Sequence, residues 1–210
     1  MASRPAPGAV RILPSGSTGL LMELNSLEEV LERYAALVAA DLPVTDIVPA
    51  GRTILVVADR GADLAALERR LRTIGPAPGA SRAAGLVEIP VSYGGADLPE
   101  TAASLGVSVE ELVRRHQAET WTVAFCGFSP GFGYLSGSTF SWSVPRRRSP
   151  RTHVPSRAVA LAGEFSAVYP RESPGGWQLI GRARVEVLDL HRDPPGLLRP
   201  GMRVRFVEEP

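Results

Sequence analysis

The sequence predicts an α+β protein of two folding units, a small N-terminal sheet with helices followed by a β-rich unit closed as a barrel or a sandwich. Three observations lead there. Up to residue 74 the apolar pattern changes period in the order β, β, α, β, β, α. GPAPGASRAAG, at 75–85, then interrupts it as a Gly/Pro/Ala-rich linker, which sets domains of 1–80 and 81–210. Beyond the linker, short apolar runs alternate with Gly/Pro turns, most densely between Phe125 and Gly181.

AVRILP and GLLMEL, within residues 8–24, read as strands joined by the turn PSGST. Ser26 and Glu29 have capping-box spacing. Leu27, Val30, Leu31, Tyr34, Leu37 and Val38 follow at helical intervals, so one face of that helix is apolar. VTDIVPA and RTILVVA are strands on either side of Pro49–Gly51. GADLAALERRLRTI is a second amphipathic helix, with Leu64, Leu67, Leu71 and Ile74 on one side. LVEIPVSY resumes as a strand and YGGADLPETAASLG turns into a short helix. Ser108 and Glu111 repeat the capping signal before VEELVRRHQAE. WTVAFCGF, AVALAGEFSAVYP, GWQLIGRARVEVLDL and MRVRFVEE read as strands between turns.

A chain of 210 residues with 44% hydrophobic and 21% charged residues has the make-up of a globular protein. The net charge of +1 gives no global field for nucleic acid or a membrane surface. No apolar run approaches the roughly 20 residues of a membrane span. MASRPAPGAV lacks a basic region followed by an apolar run, so no signal peptide is expected, and the single Cys126 suits a reducing compartment; the expectation is a cytoplasmic protein. All 23 basic residues are arginine. Without lysine there is no Schiff base, no lysine general base and no complete Walker A loop.

The chemistry concentrates in FCGFSPGFGYLSG, VPRRRSPRTHVP and VYPRESPGGWQLIG, where Gly and Pro define loop shapes beside Phe128, Phe132, Tyr134, Tyr169 and Trp177. Gly127–Gly131 spells the letters of a nucleophile elbow, but Pro130 removes the backbone N–H that an oxyanion hole needs after the serine. Cys126, alone on a strand, reads as a small core residue. His116, His153 and His191 have no metal-ligand spacing, so no metal site is expected. His116, near a helix C-terminus, suits either a charged imidazole on the helix dipole or a place in a site. No Asp or Glu lies between Thr120 and Gly163, whereas Arg146, Arg147, Arg148, Arg151 and Arg157 do. That run reads as a solvated turn or as an anion clamp, since the guanidinium fork matches carboxylate and phosphate. Trp177, after Gly175 and Gly176, reads as a core anchor or as a pocket wall.

In their order along the chain, VEIPVSYGG, the helix ending at His116, GFSPGFGYL, PRRRSPR, SPGGWQLIGR and, more weakly, DIVPAGRTILVVAD resemble the allophanate hydrolase subunit 1 family. That family includes the B subunit of bacterial 5-oxoprolinase (PxpB) and KipI, an inhibitor of a sporulation histidine kinase. The resemblance implies a small N-terminal α+β sheet domain followed by a cyclophilin-like β-barrel. It also implies work beside a homologous second subunit (PxpC- or KipA-like), with a PxpA-like subunit or a histidine kinase as further partners, and ATP bound by or shared with the partner. The first expectation is ATP-dependent opening of 5-oxoproline to glutamate, with hydrolysis of urea-derived amides as a weaker variant; the alternative is a KipI-like regulator that binds and inhibits a sensor histidine kinase. The site it implies has His116 and Arg151 as catalytic groups. Phe128, Pro130, Gly131, Phe132, Tyr134, Arg146, Tyr169, Pro174, Gly175, Gly176 and Trp177 bind substrate. Arg146 and Arg151 are expected to face the cleft formed with GFSPGFGYL and SPGGW, while Arg147 and Arg148 are expected to be mostly solvated. The family commonly reads VPAGSVAIAGxQTGIYP where this chain reads VPSRAVALAGEFSAVYP, so Arg157 stands in place of a glycine, and Phe165 and Ala167 in place of Gln and Gly.

Overall fold

The computed structural model describes residues 10–78 and 85–209. Residues 79–84 of the linker, with the 80/81 boundary, and residues 1–9, where a signal peptide would lie and the first strand is expected to start, lie outside the described residues. The chain divides into two compact units, 1–83 and 84–210.

The first unit is a four-stranded antiparallel sheet in the order β1-β2-β4-β3 with two helices: β1 (Arg11–Ser15), β2 (Gly19–Glu23), α1 (Leu27–Ala39), β3 (Val44–Pro49), β4 (Thr53–Ala58) and α2 (Leu64–Thr73). Alternation along the strands buries Ile12, Leu20, Met22, Ile54 and Val56, which meet Val30 and Leu37 of α1 and Leu67 and Leu71 of α2 in one core. Ser26 caps α1 by accepting the Glu29 N–H at 3.1 Å. The Glu29 carboxylate reaches one residue further back than the box pattern expects and takes the Asn25 N–H at 2.9 Å. Asp63 caps α2, accepting from the Ala65 and Ala66 N–H groups. The buried Arg33 of α1 donates to the Ile74 carbonyl just past α2, so the two helices are tied at that end.

The second unit contains β5 (Leu86–Tyr93), α3 (Leu98–Ser104), α4 (Val109–Ala118), β6 (Trp121–Cys126), β7 (Gly133–Gly137), β8 (Arg151–Val154), β9 (Ala158–Ala162), β10 (Phe165–Val168), β11 (Ser173–Gly175), β12 (Gln178–Ala183) and β13 (Arg203–Glu208). Of the barrel and the sandwich, it is the barrel that forms: β10-β7-β6-β13-β5-β12-β9 closes on itself. The β13–β5 pair is parallel and the others are antiparallel. Closure removes the exposed edges that an open sheet would leave. Ile89, Val91, Trp121, Val123, Leu135, Val159, Leu161, Val168, Ile180, Val204 and Phe206 fill the core, joined by Leu98 and Ala102 of α3 and Leu112 of α4. Ser108 caps α4, accepting the Glu111 N–H at 3.2 Å. The Glu111 carboxylate pairs with Arg114 and Arg115 and not with the Ser108 backbone, so only half of that capping box forms.

β9 is buried along its whole length. Val159 and Leu161 point into the barrel, while Ala158, Ala160 and Ala162 point outward into a second cluster. β10 does the same, with Val168 inward and Phe165 and Ala167 outward. The outer side is covered in part by the two-stranded β8–β11 pair, whose strands of four and three residues have no sequence periodicity that marks them in advance.

Arg157, at the entry to β9, has φ of +65°. In that left-handed region an L side chain crowds its own backbone, at roughly 1–2 kcal/mol, and glycine does not. Part of that gain is offset by glycine's freedom in the unfolded chain. Arg157→Gly should therefore raise stability by about 0.5–1 kcal/mol in urea unfolding; a loss would show that contacts of the side chain outweigh the strain.

Candidate functional site

The loop between β6 and β7 is two fused turns. The Ser129 N–H donates to the Gly127 carbonyl at 2.8 Å across Phe128, whose φ is +69°. This is a three-residue γ-turn of the strained hand. The Phe132 N–H then donates to the Ser129 carbonyl at 3.0 Å, with Pro130 and Gly131 between them and Gly131 at φ +79°. Pro first and a positive-φ Gly second is the chemistry of a type II turn. Gly131 is also constrained by space, because a Cβ there would lie 2.8 Å from the Leu188 Cβ. The loop holds the Phe128 ring 60% exposed, 5.3 Å from the ring of Phe132. Ser129 lies on these turns, not on a strand-to-helix elbow, and its hydroxyl has no hydrogen-bond partner among the described residues.

Phe132, Tyr134, Tyr169 and Trp177 converge on the outward alanines of β9 and β10. Their rings meet edge to face: Phe132–Tyr169 at 5.2 Å, Phe132–Trp177 at 5.6 Å and Tyr134–Trp177 at 5.6 Å. Such pairs contribute about 0.5–1.5 kcal/mol each beyond their burial. Phe125 stacks on its cross-strand partner Tyr134 at 4.4 Å. Phe132, Tyr169 and Trp177 are buried, so of the two readings of Trp177 the structure has the core anchor. Tyr134 is half-buried and Phe128 forms the open rim. Burial pushes the Tyr169 hydroxyl up to about 12, which leaves it a neutral donor. Burial likewise pushes the Cys126 thiol up to about 11, against a thiolate role.

Pro174 and Gly175 lie on β11, where Gly175 pairs with Arg151 of β8, and the Gly176 carbonyl accepts the Arg147 N–H at 2.8 Å. Arg146 is exposed, with its guanidinium 6.0 Å from the centre of the Trp177 ring. Arg148 is exposed. Arg147 corrects the expectation of a solvated side chain, for its Nη1 donates to Asp97 Oδ1 at 2.6 Å. Arg151 forks onto the same carboxylate, Nη1 to Oδ2 at 2.8 Å and Nη2 to Oδ1 at 2.6 Å. The carboxylate held bidentately by Arg151 is thus the chain's own.

Asp97 is 1% exposed and was not singled out from the sequence. The Gly94–Gly95 step lays its loop on β12. Both N–H groups donate to the Ile180 carbonyl, and a Cβ on Gly95 would stand 2.4 Å from the Leu179 oxygen. Asp97 Oδ2 then takes the Leu179 N–H at 2.7 Å. Burial by itself would raise the Asp97 carboxyl. The Arg151 hydrogen bonds, the Leu179 N–H and the two guanidinium charges outweigh it and hold the group below the usual carboxylate range. A signal for it existed: an acid-free run carrying several arginines leaves their counter-charge to another part of the chain.

His116 does not join this group. Its ring is buried in the barrel, 4.4 Å from Phe206, with Nδ1 2.8 Å from the Tyr93 hydroxyl and Nε2 2.9 Å from the Ser166 hydroxyl. Burial lowers it to about 3, so the ring is neutral. The charged imidazole on the helix dipole is therefore corrected, because the side chain turns into the core and away from the helix end. Tyr93, which His116 holds, lines a cleft of about 550 Å³ together with Gly94, Gly95, Arg151, Arg157 and Arg182. Among the described residues no group of His, Cys, Asp and Glu has the makings of a metal site, and no helix is long and apolar enough to cross a membrane.

Residues 10–198 match the carboxyltransferase domain, subdomain C and D. The chain belongs to that family. It is 40% identical over 175 residues to the B subunit of 5-oxoprolinase from Escherichia coli O157:H7, covering 80% of each chain. Among solved structures, TTHA0988 superposes with a TM-score of 0.79 at 37% identity; the match covers 96% of this chain and 40% of that one. The urea amidolyase of K. lactis shares the fold, with a TM-score of 0.72 at 17% identity over 95% of this chain and 15% of that chain. The fold therefore recurs in chains of very different length.

Two outcomes follow from the buried groups. Asp97→Ala removes three charge-assisted contacts and leaves the Leu179 N–H unpaired, so urea unfolding should show a loss of about 3 kcal/mol, against less than about 0.5 for Arg148→Ala. Because the folded carboxyl is depressed, that contribution is complete above about pH 4 and fades as pH falls through the lower folded value. A loss as small as that of Arg148→Ala would show that the network holds nothing in place. His116 is neutral in the fold but charges below about pH 6.5 when unfolded, so stability should fall from pH 6.5 towards 3. The contribution of this residue approaches about 1.4 kcal/mol per pH unit, and His116→Gln should flatten the profile. An unchanged profile in the variant would assign the acid sensitivity to other groups.

Proposed function

We propose that this chain is the B-type component of an ATP-dependent 5-oxoprolinase-like amidohydrolase, acting with a homologous second subunit to open 5-oxoproline to glutamate. The observation that carries the proposal is the identity it shares along four-fifths of its length with an enzyme component of that name. Water is added across the ring C–N bond: hydroxyl to the carbonyl carbon, proton to the leaving nitrogen. ATP, when bound, would supply a γ-phosphoryl group that ends on a second water as phosphate, leaving ADP, and guanidinium groups and backbone N–H donors of this chain would stabilise the charge that grows on the amide oxygen or on that phosphoryl group. His116, buried and neutral, acts as a positioning group through the hydroxyl of Tyr93, a residue that lines the cleft. ATP is held by the partner or shared with it, since a chain without lysine has no Walker loop.

Phe128 favours a second reading. A large aromatic ring, 60% exposed on a strained turn, is a ready contact for another protein. It suits the homologous partner and equally a KipI-like role on a histidine kinase.

The purified chain alone should show little or no ATP-dependent 5-oxoproline hydrolysis and gain it when co-purified with the homologous partner. Robust turnover by the single chain would contradict the division of labour. No turnover in the full assembly, together with inhibition of kinase autophosphorylation, would replace the enzyme reading by the regulatory one.

A further inference from the structure

We propose that the cleft bounded by β5, β8, β9 and β12 is an oxyanion site, in which Arg157 and Arg182 bind a phosphoryl or carboxylate group. Among the described residues four arginines line it, Arg151, Arg157, Arg182 and Arg184, and no Asp or Glu does. Its volume of about 550 Å³ lies within the range of roughly 300–1,000 Å³ typical of small-ligand sites. Asp97, the partner of the cleft residue Arg151, is already shared by Arg147, two cations on one anion. Arg157 and Arg182 form no ion pair among the described residues.

Arg182 lies opposite Ala158 in the β12–β9 register, and the Ala183 N–H donates to the Arg157 carbonyl at 2.8 Å, so the two arginines rise from adjoining backbone. Arg157 occupies a left-handed backbone position, at φ +65°. An anion held by both guanidinium groups would offset that cost, and strain kept in a cleft marks a place where a ligand compensates it. The forked donors match the oxygens of either group, with Arg151 held at the cleft wall by Asp97.

The test is calorimetric titration of the chain at fixed ionic strength, with inorganic phosphate in one arm and 5-oxoproline in the other. The expected result is saturable binding of at least one probe, weakened about 10-fold or more by Arg157→Gly and by Arg182→Gln, and changed less than about twofold by Arg148→Gln outside the cleft. The arm that saturates identifies the source of the oxyanion. The Arg157→Gly protein is expected to be the more stable one, so its lost binding is not lost folding. Absence of saturation in both arms, or wild-type affinity in both cleft variants, overturns the proposal. The readout uses no turnover: an inactive assembly whose isolated chain still binds phosphate sinks the amidohydrolase reading alone.

Discussion

Asp97 carries a negative charge into a position almost closed to water, and it stays there because three parts of the second unit converge on it. The β12 backbone gives it the Leu179 N–H; Arg147, in the segment before β8, and Arg151, on β8, give it guanidinium donors. An isolated carboxylate at this depth would take up a proton. Paired in this way it fixes the direction of both arginines, keeps the β8–β11 flap on the barrel, and anchors the Gly94–Gly95 loop that forms one wall of the cleft. The arginines remain partly exposed, so the cluster joins a dry interior to a wet cationic surface.

The barrel wall near that cluster has two hydrophobic faces. Large side chains fill the inside, and small ones lie on the outside of β9 and β10, where Ala167 pairs with Ala160. That outer layer of alanines leaves height for Phe132, Tyr169 and Trp177 to stack over it. Larger residues there would push the rings, and the turn that ends in Phe132, away from the barrel. The loop shapes encoded by Gly and Pro therefore depend on small residues more than twenty positions further along the chain.

Elements whose signal is local were legible in the sequence. The strand and helix order of the first unit follows from periodicity, and Ser26 and Ser108 mark real helix starts. Ser129-Pro130-Gly131-Phe132 spells its turn type. The rest depends on contacts that spacing does not encode. Asp97 lies 50 and 54 residues from the arginines it binds. Neighbouring arginines of one run divide between solvent and an ion pair according to which way an irregular segment faces. His116 obeyed the core and not the end of its helix, because Phe206 and the Tyr93 and Ser166 hydroxyls come from three separate strands. Arg157 is the reverse case: its own residue type hides a positive φ, and only the glycine that the family carries at that place points to it.

The parallel pairing of β5 with β13 joins the first strand of the second unit to its last, as in the Arg205–Glu88 contact across 117 residues. β13 also closes the seam with β6. During synthesis the first unit has all of its strands long before the barrel has its final one. Until residues 203–208 emerge, β5 and β6 wait with open edges, and local pairings such as β6–β7 and β9–β10 have to hold the intermediate together. A pause, or a nick, ahead of the final strand therefore exposes both edges at once.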